Sequence, residues 1–128
     1  MRYIYLFTLI LLFCNCKAQN SSNIKLTYVD LDIMTPIDVD CNNFETLFKS
    51  QIKTIVINNK ADIDSINSAL NKLEVDTTNY IPDVRVKLVL HYSNKSKNYC
   101  LSKMGICSDG IAYILSDKLL EIVKKHLK

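Results

Sequence analysis

Two periods of apolar residues alternate along the chain and mark out its elements. Over residues 24–33, Ile24, Leu26 and Tyr28 occupy every second position, and Val29, Leu31 and Ile33 then take up the opposite phase. This reads as a strand with a bulge near Tyr28, stopped at Pro36, which has no N–H to give a ladder. Asn42 followed by Glu45 resembles a capping box, and Phe44, Leu47 and Phe48 share one face of the short helix it would start. Residues 53–57 are rich in β-branched side chains and predict a second strand. Ile63, Ile66, Leu70 and Leu73 then recur at three- and four-residue steps, the stripe of an amphipathic helix. Asn59 can cap that helix, and Asp62 and Asp64 suit the positive end of its dipole.

Residues 74–83 break the periodicity and predict a loop. Residues 84–92 form the strongest strand pattern, with Val84, Val86, Leu88 and Leu90 on one side and Arg85, Lys87, Val89 and His91 on the other. A turn at residues 93–96 and a return over residues 98–104 complete a hairpin. Ser108-Asp109-Gly110 predicts a second turn before a strand at residues 111–115. Ser116 can cap a last helix that turns Leu119, Leu120, Val123 and Leu127 inward. The order implies an α+β fold: a mainly antiparallel sheet of four to five strands, with two main helices packed on one face.

The first 18 residues change the picture, because they read as a secretory signal peptide and not as part of the fold. Arg2 supplies a short positive region, and residues 3–13 are apolar apart from Thr8. That run is about half the length of a membrane-spanning helix. Cys16-Lys17-Ala18 suits a cut after Ala18, which leaves residues 19–128 as a single domain. The competing reading is lipidation at Cys14 or Cys16, although neither follows the Leu and small residues that usually precede such a site. Cleavage after Ala18 removes Arg2 and Lys17 and lowers the formal charge from +3 to +1. With no basic stripe and no interleaved aromatics, a nucleic-acid partner is not expected.

Export permits disulfides, and three cysteines remain after the leader: Cys41, Cys100 and Cys107. Cys100 and Cys107 lie closest in sequence and near one predicted hairpin, which makes them the first candidates for a bridge. The alternative is that all three are small buried apolar residues. A zinc site is not expected, since the mature chain has no C-x-x-C and neither His91 nor His126 stands at ligand spacing from a cysteine pair.

Asp30 with Asp32, and Asp38 with Asp40, can each aim two carboxylates from one face of a strand. The glycine and distal glutamate of a calcium loop are missing, so a solvated edge is the plainer reading and no metal is expected. His91 with Cys100 is the one pair that suggests a thiol nucleophile, but no third orienting group or oxyanion-forming turn accompanies it. Gly105 and Gly110 are the only glycines, which excludes phosphate-binding loops and dinucleotide fingerprints, so no cofactor is expected. Arg85, Lys87 and His91 can form a mildly basic sheet face that binds a partner, the plainer reading being a solvated face. Tyr80 and Tyr113 are the aromatic candidates for contact, against partial burial at the core's edge.

The leader's close at Cys16-Lys17-Ala18-Gln19, the run Lys53-Thr54-Ile55-Val56-Ile57, the helix holding Ile63 and Ile66, the hairpin from Val84, and the closing Leu115-Ser116-Asp117-Lys118-Leu119-Leu120 together resemble small uncharacterised secreted or lipoprotein α+β domains of the Bacteroidota. High Asn, Lys and Ile usage agrees with that likeness, which covers most of the mature chain. It implies an exported protein of the periplasm, cell envelope or exterior, and it transfers no catalytic residue. The expected function is a small binding module for a cell-envelope protein, of an inhibitor or immunity type. A membrane would be touched only through a lipid anchor. The alternatives are a thiol-dependent enzyme using Cys100 and His91, or a structural lipoprotein.

Overall fold

A computed structural model describes residues 20–128; the leader, with Cys14 and Cys16, lies outside the described residues. The chain runs β1 (Asn23–Tyr28), α1 (Phe44–Leu47), β2 (Lys53–Ile57), α2 (Lys60–Asn71), β3 (Val86–His91), β4 (Ser96–Leu101), β5 (Ile106–Ser108), β6 (Ile111–Tyr113) and α3 (Asp117–Lys124). The strands form one sheet in the order β2-β1-β3-β4-β5-β6, with every neighbouring pair antiparallel. The fold is therefore α+β, and its sheet has six strands where the sequence predicts four to five. The extra strand arises because the return strand stops at Leu101 and reverses through residues 102–105. Ser102 Oγ accepts the N–H groups of Met104 and Gly105 at 3.1 and 3.3 Å, which builds a tight turn without the usual Asn-Gly signal.

Pairing sets which side chains share a face. Ile24, Leu26, Tyr28, Ile57, Val86, Leu88, Leu90, Tyr99, Leu101 and Ile106 all point to one side. There they pack with Ile63, Ile66 and Leu70 of α2 and with Leu119 and Val123 of α3. Both helices begin at side-chain caps: Asn59 Oδ1 accepts the Asp62 N–H at 3.1 Å, and Ser116 Oγ accepts the Leu119 N–H at 3.2 Å. The expected cap on α1 is replaced. Asn43 occupies that position without a side-chain cap bond, and Asp40 instead accepts the Asn43 N–H at 2.8 Å.

The opposite face is covered over only part of its area. Residues 29–52 cross it, and Val29, Val39, Phe44 and Phe48 form a second core with Val84 and the disulfide sulfurs' neighbourhood around Cys100. At the other end of this face Lys25, Val56 and Asn98 remain exposed and His91 half-buried. The Asp109-Gly110 turn between β5 and β6 has φ of +52° and +77°, the doubly left-handed form that suits a two-residue hairpin.

Candidate functional site

The residues expected to form a basic sheet face do not form one. Arg85 is 4% exposed. Its guanidinium meets the Asp83 carboxylate in a fork, Nη1 to Oδ1 at 2.7 Å and Nη2 to Oδ2 at 2.8 Å. It also donates to the carbonyls of Ile33 and Val84 and to Thr35 Oγ1, at 3.0, 2.9 and 3.0 Å, and it lies over the Phe48 ring. Every direction a partner could approach is taken, so Arg85 is a strut between loops. Lys87 is mostly buried under α1 and faces Glu45 at 3.5 Å. His91 alone keeps its place on the open part of the face.

His91 and Cys100 are also kept apart. His91 pairs with Ser96, and Cys100 pairs with Lys87, four residues further along β3. That is about 13 Å of strand. Cys100 is fully buried and bridged to Cys41, with Cα atoms 5.7 Å apart. The expected Cys100–Cys107 bridge is thus corrected to Cys41–Cys100. Cys107 does lie directly across from Cys100, but the segment over this face brings Cys41 to the same sulfur. A contact made by a crossing segment, 59 residues away in sequence, leaves no local signature.

Tyr113 points to the helix-covered face, packs at the edge of the main core and pairs with Ile106 and Val75. Tyr80 is half-buried. Its ring lies across the 102–105 turn, so close that a Cβ on Gly105 would stand 2.6 Å from Tyr80 Cε1. Glycine is required there by proximity and not by φ. Tyr80 Oη lies 3.4 Å from Ser102 Oγ.

What the structure assembles is a loop end. Residues 29–38, 80–85 and 102–105 leave the same edge of the sheet, beyond Tyr28, Val86, Leu101 and Ile106. They enclose a cleft of about 420 Å³ lined by Ile33, Met34, Asp38, Tyr80, Ser102 and Met104 among others. Among the described residues the four most exposed large apolar side chains are Met34 (91%), Met104 (77%), Ile81 (75%) and Ile37 (64%), and all lie on these segments. Residues 29–41 carry Asp30, Asp32, Asp38 and Asp40 and no Lys or Arg. Lys103 pairs with Asp32, and Arg85 is spent on Asp83, so the rim keeps a negative balance.

The Asp83 carboxyl is pushed up by burial, but hydrogen bonds from Arg85 and the Val39 N–H, with the charge of Arg85, hold it below its ordinary value. Hydrogen bonds from Asn43 hold Asp40 low as well. Both stay ionised at neutral pH. Asp30 Oδ1 accepts the Asp32 N–H at 2.9 Å, and among the described residues no three His, Cys, Asp or Glu side chains converge as a metal site. Met34, Ile37, Ile81 and Met104 were not singled out from sequence. Their one sequence signal is an apolar side chain within two residues of Pro36 or Pro82, or inside the 102–105 turn, outside any periodic stripe.

Fold and site together define a small α+β domain that presents an apolar, acid-rimmed loop end. No family model, curated protein or solved structure matches the chain. No helix among the described residues is long and apolar enough to cross a membrane.

Proposed function

We propose that this protein is an exported binding module of the cell envelope, of the inhibitor or immunity type suggested by its resemblance to secreted Bacteroidota domains. It grips a protein partner with its loop end. The observation that carries this reading is that the four most exposed large apolar side chains, Met34, Ile37, Ile81 and Met104, lie on the three loops leaving one end of the sheet, with Met34 and Met104 lining one cleft there. Exposed apolar side chains scattered singly need no explanation, but two methionines lining one cleft beside Asp32 and Asp38, with more apolar side chains on the neighbouring loops, fit a contact surface. Methionine adapts its shape to what it meets. The acidic rim favours a partner segment that carries Lys or Arg beside an apolar anchor. Arg85 and Asp83 hold the loops in place beneath the patch, which limits the ordering lost on binding. A disulfide is compatible with the oxidising compartment this address implies.

The test is a crosslinked pull-down from native envelopes with tagged wild type and with Met34→Lys/Met104→Lys. One dominant envelope protein, lost in the double variant, is expected. Equal recovery with wild type and variant, or no envelope protein above background, would overturn the reading.

A further inference from the structure

Cys107 is the one cysteine among the described residues outside the bridge, and its surroundings set it apart from an isolated thiol. It is the direct cross-strand partner of Cys100, so both side chains leave the sheet on the same face. Ser102 donates its backbone N–H to the Gly105 carbonyl at 3.0 Å, and alternation along the ladder makes Cys100 and Cys107 a hydrogen-bonded pair. Cα atoms in such pairs stand about 5.5 Å apart, inside the range a disulfide spans, while their Cβ atoms, about 5 Å apart, must close by about 1 Å for the bond to form. Cys41, Cys100 and Cys107 pack in the same cluster. Cys41 and Cys107 also line one cleft of about 390 Å³, with Ile81, Pro82, Asn98 and Asp109. Cys100 is fully buried, so its sulfur is reached from within the fold, and the group across from it is Cys107.

We propose that these three cysteines form an internal thiol–disulfide exchange site with two bridged isomers. The Cys107 thiolate attacks Cys100 Sγ and a Cys100–Cys107 bond forms. The Cys41–Cys100 bond breaks, and its electron pair leaves on Cys41 Sγ, which takes up the proton that Cys107 gave away. One disulfide and one thiol stand on each side, so no oxidant or reductant is consumed. The bridge moves from a long loop to the β4–β5 hairpin. Cys41 is released into the cleft, and residues 39–48 lose their covalent tie to the sheet. The Val39 N–H bond to Asp83, the Val84 N–H bond to the Val39 carbonyl at 2.8 Å and the Lys87–Glu45 pair are polar contacts that still hold this cover. Burial raises the Cys107 thiol above its ordinary range, against a smaller pull from the Cys100 N–H, so exchange is slow at neutral pH and quickens in alkali.

The experiment incubates the oxidised protein from pH 6 to 9, quenches in acid, alkylates the free thiol and maps the bridges by mass spectrometry. Two isomers are expected, with label on Cys107 in one and on Cys41 in the other. Their approach to equilibrium should quicken by about tenfold per pH unit. Label confined to Cys107 at every pH, with no Cys100–Cys107 peptide, would overturn the proposal. A second measurement treats reduced Cys41→Ala with oxidised glutathione. A Cys100–Cys107 bridge should form and release the glutathione. A lasting glutathione adduct on Cys107 would show that the two sulfurs cannot meet, and would overturn the proposal even if other variants failed to fold.

Discussion

Replacing Arg85 by Met tests the account of the loop end most directly. Methionine keeps most of the apolar stem over Phe48 and removes all five donations the guanidinium makes. Removing one partner of a buried ion pair costs about 3–5 kcal/mol, because the other is left without compensation. Here the bereaved Asp83 is 34% exposed, so water restores part of its solvation and the lower end applies, about 3 kcal/mol. At roughly 2.1 cal/mol/K of unfolding entropy per residue, that lowers the melting midpoint by about 13 °C for a domain of about 110 residues. The chain has no Trp, so far-UV circular dichroism during urea and thermal unfolding is the suitable probe. Asp83→Asn made in the Arg85→Met background should add little, since the partner is already gone. A loss under about 1 kcal/mol, or simple additivity of the two substitutions, would refute the reading of Arg85 as a strut and return it to the pool of surface cations.

Other expectations follow from the same contacts. Because the folded carboxyl of Asp83 lies below its ordinary value of 3.8, its contribution is complete above that value and disappears as pH falls through the lowered folded value. The stability gap between wild type and Asp83→Asn, from urea midpoints, should be flat above about pH 5 and close in stronger acid. Gly105→Ala drives its Cβ into the Tyr80 ring, so unfolding experiments should show a loss of about 1–2 kcal/mol that Tyr80→Ser relieves. Cys41→Ala in a Cys107→Ala background opens a loop of 59 residues, and the chain-entropy relation gives about 4 kcal/mol for that closure, read as the difference from Cys107→Ala alone in calorimetry. Leu88→Ala at the fully buried centre of β3 should cost about 3–4 kcal/mol in the same assay.

The main helices, β2, β3 over Val86–His91 and β1 as far as Tyr28 were legible because their signals are local; the expected run of β1 on to Ile33 and the place of Val84 beside Val86 were not, since the chain leaves the ladder at Val29 and Val29, Ile33 and Val84 pack in the second core instead. Ile63, Ile66 and Leu70 line up within one helix, and the caps Asn59 and Ser116 act within three residues. The Asp109-Gly110 turn was legible for the same reason. The extra strand was missed because Ser102, not an Asn-Gly pair, makes the turn before it. Of the candidate contact residues, Tyr80 stands at the loop-end cleft, while Tyr113 belongs to the core edge. Arg85 and Lys87 carried the pattern of an open sheet face, and nothing in β3 itself records that residues 29–52 cross over them.

By itself, then, the sequence determined the α+β class, the order of every element but β5, and the side chains that β1, β3, α2 and α3 turn toward the main core, since side-chain periods of two and 3.6 residues follow from backbone geometry alone. It determined the acidic character of residues 29–41 as well. The tertiary structure decided which cysteine meets Cys100, which cations are buried, and that Met34, Ile37, Ile81 and Met104 gather at one edge. Those outcomes depend on where one long segment is laid across a sheet. Many weak contacts, summed over residues distant in the chain, choose that path, and no short stretch of sequence contains the sum.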